Sequence, residues 1–98
     1  MPKAAHASEA HVLTDIPNIG KSIAQDLRGL GVTTPAQVAA MEPIAMYDAL
    51  RTPLGKHHDP CLLDTFLAAK KFMNGGPRQP WWDFTAERKA ELAARPLR

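Results

Sequence analysis

The clearest chemical signal in the chain is the run Ile16-Pro17-Asn18-Ile19-Gly20-Lys21-Ser22. Proline at 17 removes a backbone donor and ends whatever helix precedes it. Asparagine is one of the few residues besides glycine that accepts a positive φ, so Asn18 can make a tight turn. Ile19 is the apolar plug of that turn, and Gly20 keeps the backbone bare where a second helix starts. The N–H groups of Ile19 through Ser22 then point outward at a helix N-terminus. Such a terminus carries partial positive charge and unpaired donors, and it holds phosphates well. Lys21 adds a full charge and Ser22 a hydroxyl donor. A site of this kind contacts the nucleic-acid backbone and reads no base sequence. The same turn serves equally well as a ligand-free scaffold for two helices, and Asp15 and Asp26 lie near enough to weaken its positive field. Both readings stay open for Asn18, Ile19, Gly20, Lys21 and Ser22.

A shortened echo of the run occurs at Pro53-Leu54-Gly55-Lys56, flanked by Arg51, His57 and His58. If it marks a degenerate second hairpin, Arg51 and Lys56 would grip a second stretch of phosphates. Charge favours this half of the chain. Residues 1–50 carry three bases and five acids, residues 51–98 nine bases and five acids, within an overall charge of +2. Ordinary solvated surface explains the same distribution.

Other constellations carry less. His57-His58-Asp59-x-Cys61 contains metal-ligand types, but adjacent histidines point apart and no second cluster completes four ligands. No metal and no cofactor is expected. Cys61 lies near a helix start, where a thiol pKa can fall; with Leu62 and Leu63 beside it, an inert packing role is expected. Trp81-Trp82 can stack on bases or form a lid over a helix, one ring buried and the other partly exposed; the lid is the expectation. Lys70-Lys71 reads as a solvated helix edge. No paired carboxylates, Ser/His/Asp set or nucleotide-binding glycine loop appears, so the chain is not expected to be an enzyme.

The elements that position these residues read as helices. No alternating β-branched run occurs, and the nine prolines sit mostly where helices begin or have just ended. A short first helix is expected over about Ser8 to Asp15, with Val12 and Ile16 on one face. The second runs from about Lys21 to Leu30, its stripe Ile19, Ile23, Leu27 and Leu30 stepping at helical spacing, with Gly31 as a left-handed stop. Thr34-Pro35-Ala36-Gln37 is a capping box opening a third helix that ends near Met41. Pro43 opens a fourth, with Ile44, Tyr47 and Leu50 inward. The fifth, about Pro60 to Met73, is apolar over more than one stripe and should be contacted on several sides. Thr85 can cap a weakly amphipathic last helix to about Ala94.

A chain of 98 residues, 45% of them hydrophobic, suits one domain with a modest core. One cysteine allows no internal disulfide, which fits a reducing compartment. No segment approaches a membrane span, and Met1–Ala10 lacks a signal-peptide apolar stretch. A cytoplasmic location is the expectation.

Leu13-x-x-Ile16-Pro17-Asn18-Ile19-Gly20-Lys21-Ser22-x-Ala24-x-x-Leu27 resembles the helix-hairpin-helix motif, with Asn18 where that motif often has glycine. From Leu13 to about Phe84 the chain is similar to the small bacterial pathogenicity-locus family of helix-hairpin-helix proteins, whose members often carry a mitomycin-resistance label without a mechanism. Ile16 to Ser22, Asp26-Leu27-Arg28-x-Leu30-Gly31, Tyr47-x-x-Leu50, Asp59-Pro60-Cys61 and Trp81-Trp82 carry the likeness. The C-terminal domain of TfoX-type competence regulators is similar more loosely, including Trp82 and Arg88-Lys89-Ala90. The resemblance implies an all-α fold: a compact five-helix bundle, SAM-like and pseudo-duplicated, with a short C-terminal helical tail. The division expected is 1–7 disordered, 8–84 helix-hairpin-helix domain and 85–98 tail. The implied function is a non-enzymatic module that binds duplex or single-stranded DNA weakly through backbone phosphates. The alternative is a protein-interaction adaptor on the same fold.

Overall fold

The computed structural model describes residues 3–56 and 58–94; Met1, Pro2, His57 and residues 95–98 lie outside it. Among the described residues there are five α-helices and no strand: α1 Lys21–Gly29, α2 Pro35–Ala40, α3 Pro43–Ala49, α4 Cys61–Met73 and α5 Thr85–Ala94. Short 3-10 turns cover Ala7–Glu9, Leu13–Asp15 and Trp81–Phe84.

The punctuation works largely as its chemistry dictates. The Thr34 hydroxyl accepts from the Gln37 N–H at 3.3 Å, and the Gln37 side chain accepts from the Thr34 N–H at 3.2 Å, closing a box around Pro35. Pro43 opens α3. Gly31 ends α1 at φ +90°, where the Val32 N–H turns back to the Leu27 carbonyl at 2.9 Å.

The helix expected over Ser8 to Asp15 does not form. Two carboxylates compete for its backbone. Glu9 accepts the N–H groups of Ala5 and His6, and Asp15 those of His11 and Val12, at 2.9–3.1 Å. Each closes one tight turn, and the extended backbone at Ala10 and Val12 separates the two. Val12 is consequently exposed, while Ile16 is fully buried; the two do not share a face. Nor do residues 3–7 run free as expected. The Ala4 N–H donates to the Asp15 carbonyl at 2.8 Å, and Ala4 joins the core.

Helix α4 is the centre. Its apolar spread around the whole circumference demands cover on every side, and α2, α3, α5 and the Trp81–Phe84 turn supply it. Leu63, Phe66, Ala69 and Phe72 pack with Leu13, Ile16, Ile19 and Leu27 in one core. Asn74 ties the C-terminal end of α4 to α2 through the Ala39 carbonyl at 3.0 Å. A Cβ on Gly76 would lie 2.8 Å from the Lys71 carbonyl oxygen, so the chain reverses there only because this residue has no side chain.

Asp64 is fully buried in α4. One carboxylate oxygen accepts from Arg88 Nε at 2.8 Å and the other from the Thr85 hydroxyl at 2.7 Å. Thr85 thus spends its hydroxyl on Asp64 and not on the cap expected of it. This polar grip holds α5, which has no buried residue of its own and adds only the partly buried Leu92 to the core.

Two substitutions test this centre. Phe66→Ala should lower stability by about 3–5 kcal/mol, read as a drop in the urea midpoint. Arg88→Ala should cost about 3 kcal/mol by leaving Asp64 buried without its cation. A urea midpoint unchanged by Arg88→Ala would show that the pair does not fasten α5.

Candidate functional site

The turn Ile16–Gly20 takes the form its residues dictate. Asn18 stands at φ +73°, the sole described residue other than glycine with a positive value. Ile16 and Ile19 are fully buried, and the Ile19 N–H bonds back to the Ile16 carbonyl at 3.1 Å. That bond removes Ile19 from the set of outward donors. Gly20 is the N-cap of α1, exposed, and a Cβ built on it would meet nothing within 4 Å. No side chain caps this helix end and its first turn holds no acid. The first N–H bonded within the helix is that of Ala24, to the Gly20 carbonyl at 2.9 Å. Lys21 and Ser22 are both exposed beside it.

Asp15, expected to oppose an anion, has its carboxylate committed to the backbone of His11 and Val12, and those two donors hold its pKa below the ordinary carboxylate value. Asp26 lies on the later half of α1, half-buried.

The structure brings to this turn two cations that sequence spacing did not suggest. Lys3 Nζ donates to the carbonyls of Thr14 and Ile19, both at 2.5 Å. Arg78 is exposed. Together with Pro17, Asn18, Gln79 and Pro80 they line a cleft of about 260 Å³. Asn18 fastens its rim, its side-chain amide donating to the Gln79 carbonyl at 2.7 Å across 61 residues of chain. The legible signal was the basic character of the second half; the partners within it were not.

Arg51 and Lys56 do not join this group. They lie on the segment that leads into the N-terminal end of α4, whereas Asn18 is tied to the segment leaving its C-terminal end. A helix of that length rises roughly 20 Å between its ends. The echo also differs in build. Thr52 and Lys56 close a loop of their own, N–H to carbonyl at 2.8 Å, with Gly55 at φ +79°. Helix α4 begins only at Cys61, and its N-terminus is already taken by Asp59, whose carboxylate accepts the Cys61 N–H at 2.9 Å. Lys56 therefore stands at no helix start. Leu54, at the tip of that loop, is 84% exposed.

The same Asp59 sets the chemistry of Cys61. The hydrogen bond to its carboxylate, then burial, pushes the thiol above its usual pKa, and disfavours a nucleophilic thiolate. Among the described residues no three of His, Cys, Asp and Glu gather as a metal site; His57 lies outside them. The Trp81–Phe84 turn does lie over α4 as a lid, but neither tryptophan is its buried ring. Phe84 is the buried ring, under Lys71 Nζ at 5.5 Å, while Trp81 is half-buried and Trp82 is 62% exposed.

The family model described as Pathogenicity locus matches residues 6–90. The chain belongs to the pathogenicity-locus family. It is similar to the mitomycin resistance protein McrB of Streptomyces lavendulae, 38% identical over 87 residues that cover 89% of this chain and 83% of that one. No solved structure matches it. The matched region of this pathogenicity-locus chain contains the Asn18 turn, α1, α4 and Arg78, but begins after Lys3.

The left-handed turn can be tested by substitution at Asn18. Asn18→Val should cost about 1–2 kcal/mol in backbone strain plus roughly 1 kcal/mol for the lost bond to Gln79. Asn18→Gly should lose mainly the bond. Equal urea midpoints for the two variants would contradict the positive φ.

Proposed function

We propose that this chain is a non-enzymatic module that binds DNA weakly, and without sequence specificity, through backbone phosphates. The observation that carries the reading is the α1 N-terminus. It is uncapped, free of acids in its first turn, and bare at the exposed Gly20, with Lys21 and Ser22 beside it. Lys3 and Arg78 extend the positive surface around the turn. Gly20 has an ordinary φ of −92° and open space around it. Neither backbone strain nor crowding asks for glycine there, whereas close approach of an anion to the backbone does.

The helix-hairpin-helix resemblance supports the reading through its second arm and its turn. The first arm here is a 3-10 turn held by Asp15, not a helix. A role in mitomycin resistance comes with the name of the Streptomyces relative and belongs to the same proposal. The adaptor reading keeps one specific observation in its favour, the exposed Leu54.

Binding to a labelled duplex at low salt tests the proposal. With about two or three phosphates neutralised, log affinity should fall against log salt with a slope of roughly −2 to −3. Gly20→Asp should remain folded by circular dichroism and weaken binding most, since it sets a carboxylate at the anion. Lys21→Ala should weaken all sequences about equally. No binding by the wild type, or undiminished binding by folded Gly20→Asp, would retire the phosphate reading in favour of the adaptor.

A further inference from the structure

The cleft beside Asn18 contains more than charge. Its wall includes Gln79, whose side-chain oxygen is buried and has no hydrogen-bond partner, while its amide nitrogen reaches Asp83 at 3.4 Å. A buried acceptor without a donor is costly. A phosphate oxygen cannot satisfy it, being an acceptor itself; a base N–H or a sugar hydroxyl could, once the side chain turns that buried oxygen toward the cleft.

The next wall residue, Pro80, leads directly into the Trp81–Phe84 turn, where its carbonyl accepts the Asp83 N–H at 3.1 Å. Two residues past Pro80 stands Trp82, so its Cα lies within about 7 Å of a wall residue of the cleft. Its ring is largely in solvent, and the Trp81 ring meets it in a T-shaped contact at 5.5 Å and 84°. That contact restricts the Trp82 indole without covering it. Phe84 already supplies the buried aromatic of the turn, so packing does not account for an exposed tryptophan here.

We infer that the Lys3–Arg78 cleft and Trp82 form a subsite for one unpaired nucleotide, its phosphate held between the two cations and its base stacked on the indole. The inference rests on the phosphate-binding reading above and narrows it to single strands or strand ends. A base paired within a duplex has its faces covered by its neighbours and cannot lie on a protein ring unless it is extruded. DNA and RNA share this chemistry.

The test measures fluorescence anisotropy of labelled oligo(dT), oligo(rU) and a duplex of matched length, with the full chain and its Trp82→Ala and Trp82→Phe variants. Stacking of one base on an aromatic side chain predicts a loss of about 5- to 150-fold for Trp82→Ala on single strands. Duplex affinity should stay within about twofold, and Trp82→Phe should restore most of the loss. A loss with oligo(dT) alone or oligo(rU) alone supports the subsite and assigns its sugar. Because Trp82 is exposed, both variants should melt with the wild type. Unchanged single-strand affinity in Trp82→Ala, or an equal loss on duplex, overturns the nucleotide subsite and leaves the phosphate reading standing. Absence of binding to all three probes by the wild type overturns both.

Discussion

A helix that is apolar around its whole circumference has to be covered around its whole circumference, and α4 imposes that requirement on everything else in the chain. Leu63, Phe66, Ala69 and Phe72 need partners in several directions at once. Short helices meet the need better than long ones, because each can cross α4 at its own angle and then turn away. The prolines at 35 and 43 start two such helices without wasting a donor, since the first turn of a helix has no use for that N–H. Burial of Asp64 among these apolar neighbours adds a polar condition. A carboxylate there needs donors, and Arg88 and Thr85 are positioned to supply them.

The candidate site is a by-product of the same covering. Ile16 and Ile19 must both reach the core, and only a residue at ease with positive φ between them lets the chain do so and leave in a new direction as α1. The sharp exit leaves the N-terminus of α1 in solvent. The Gly75–Gly76 reversal after α4 returns the chain past this point, bringing Gln79 to Asn18 and Arg78 to the same cleft. The cations of the cleft come from distant parts of the sequence because three separate segments converge there.

Local rules made much of this legible in the sequence. Capping at Thr34, proline starts, the Gly31 stop, the helical stripe of α1 and the central place of α4 depend on neighbours within a few residues, and spacing alone conveys them. What spacing could not convey depended on competition or on long-range contact. The segment Ser8–Asp15 has adequate helical pattern, but Glu9 and Asp15 offer its backbone closer partners than a helix would. Asp64 reads as a polar edge until Arg88 is known to face it. Lys3 looks like part of a free end until its ammonium is seen on the Thr14 and Ile19 carbonyls. The resemblance between Pro53–Lys56 and Pro17–Lys21 is real in composition, but four residues separate Lys56 from the helix that would have made it equivalent to Lys21.

The way α5 is held has a kinetic consequence. An element fastened by one buried ion pair, one hydroxyl and the flank of Leu92 shares little of the cooperative energy stored around Phe66. Proteins open in units of unequal cost, and a peripheral helix with no buried side chain belongs to the cheap end of that range. Amide hydrogens of α5 should therefore exchange with solvent by detachment of that helix alone, while those in the middle of α4 exchange only when the whole domain opens. The chain would then carry, after its last aromatic turn, a segment that samples solvent many times for each global unfolding event.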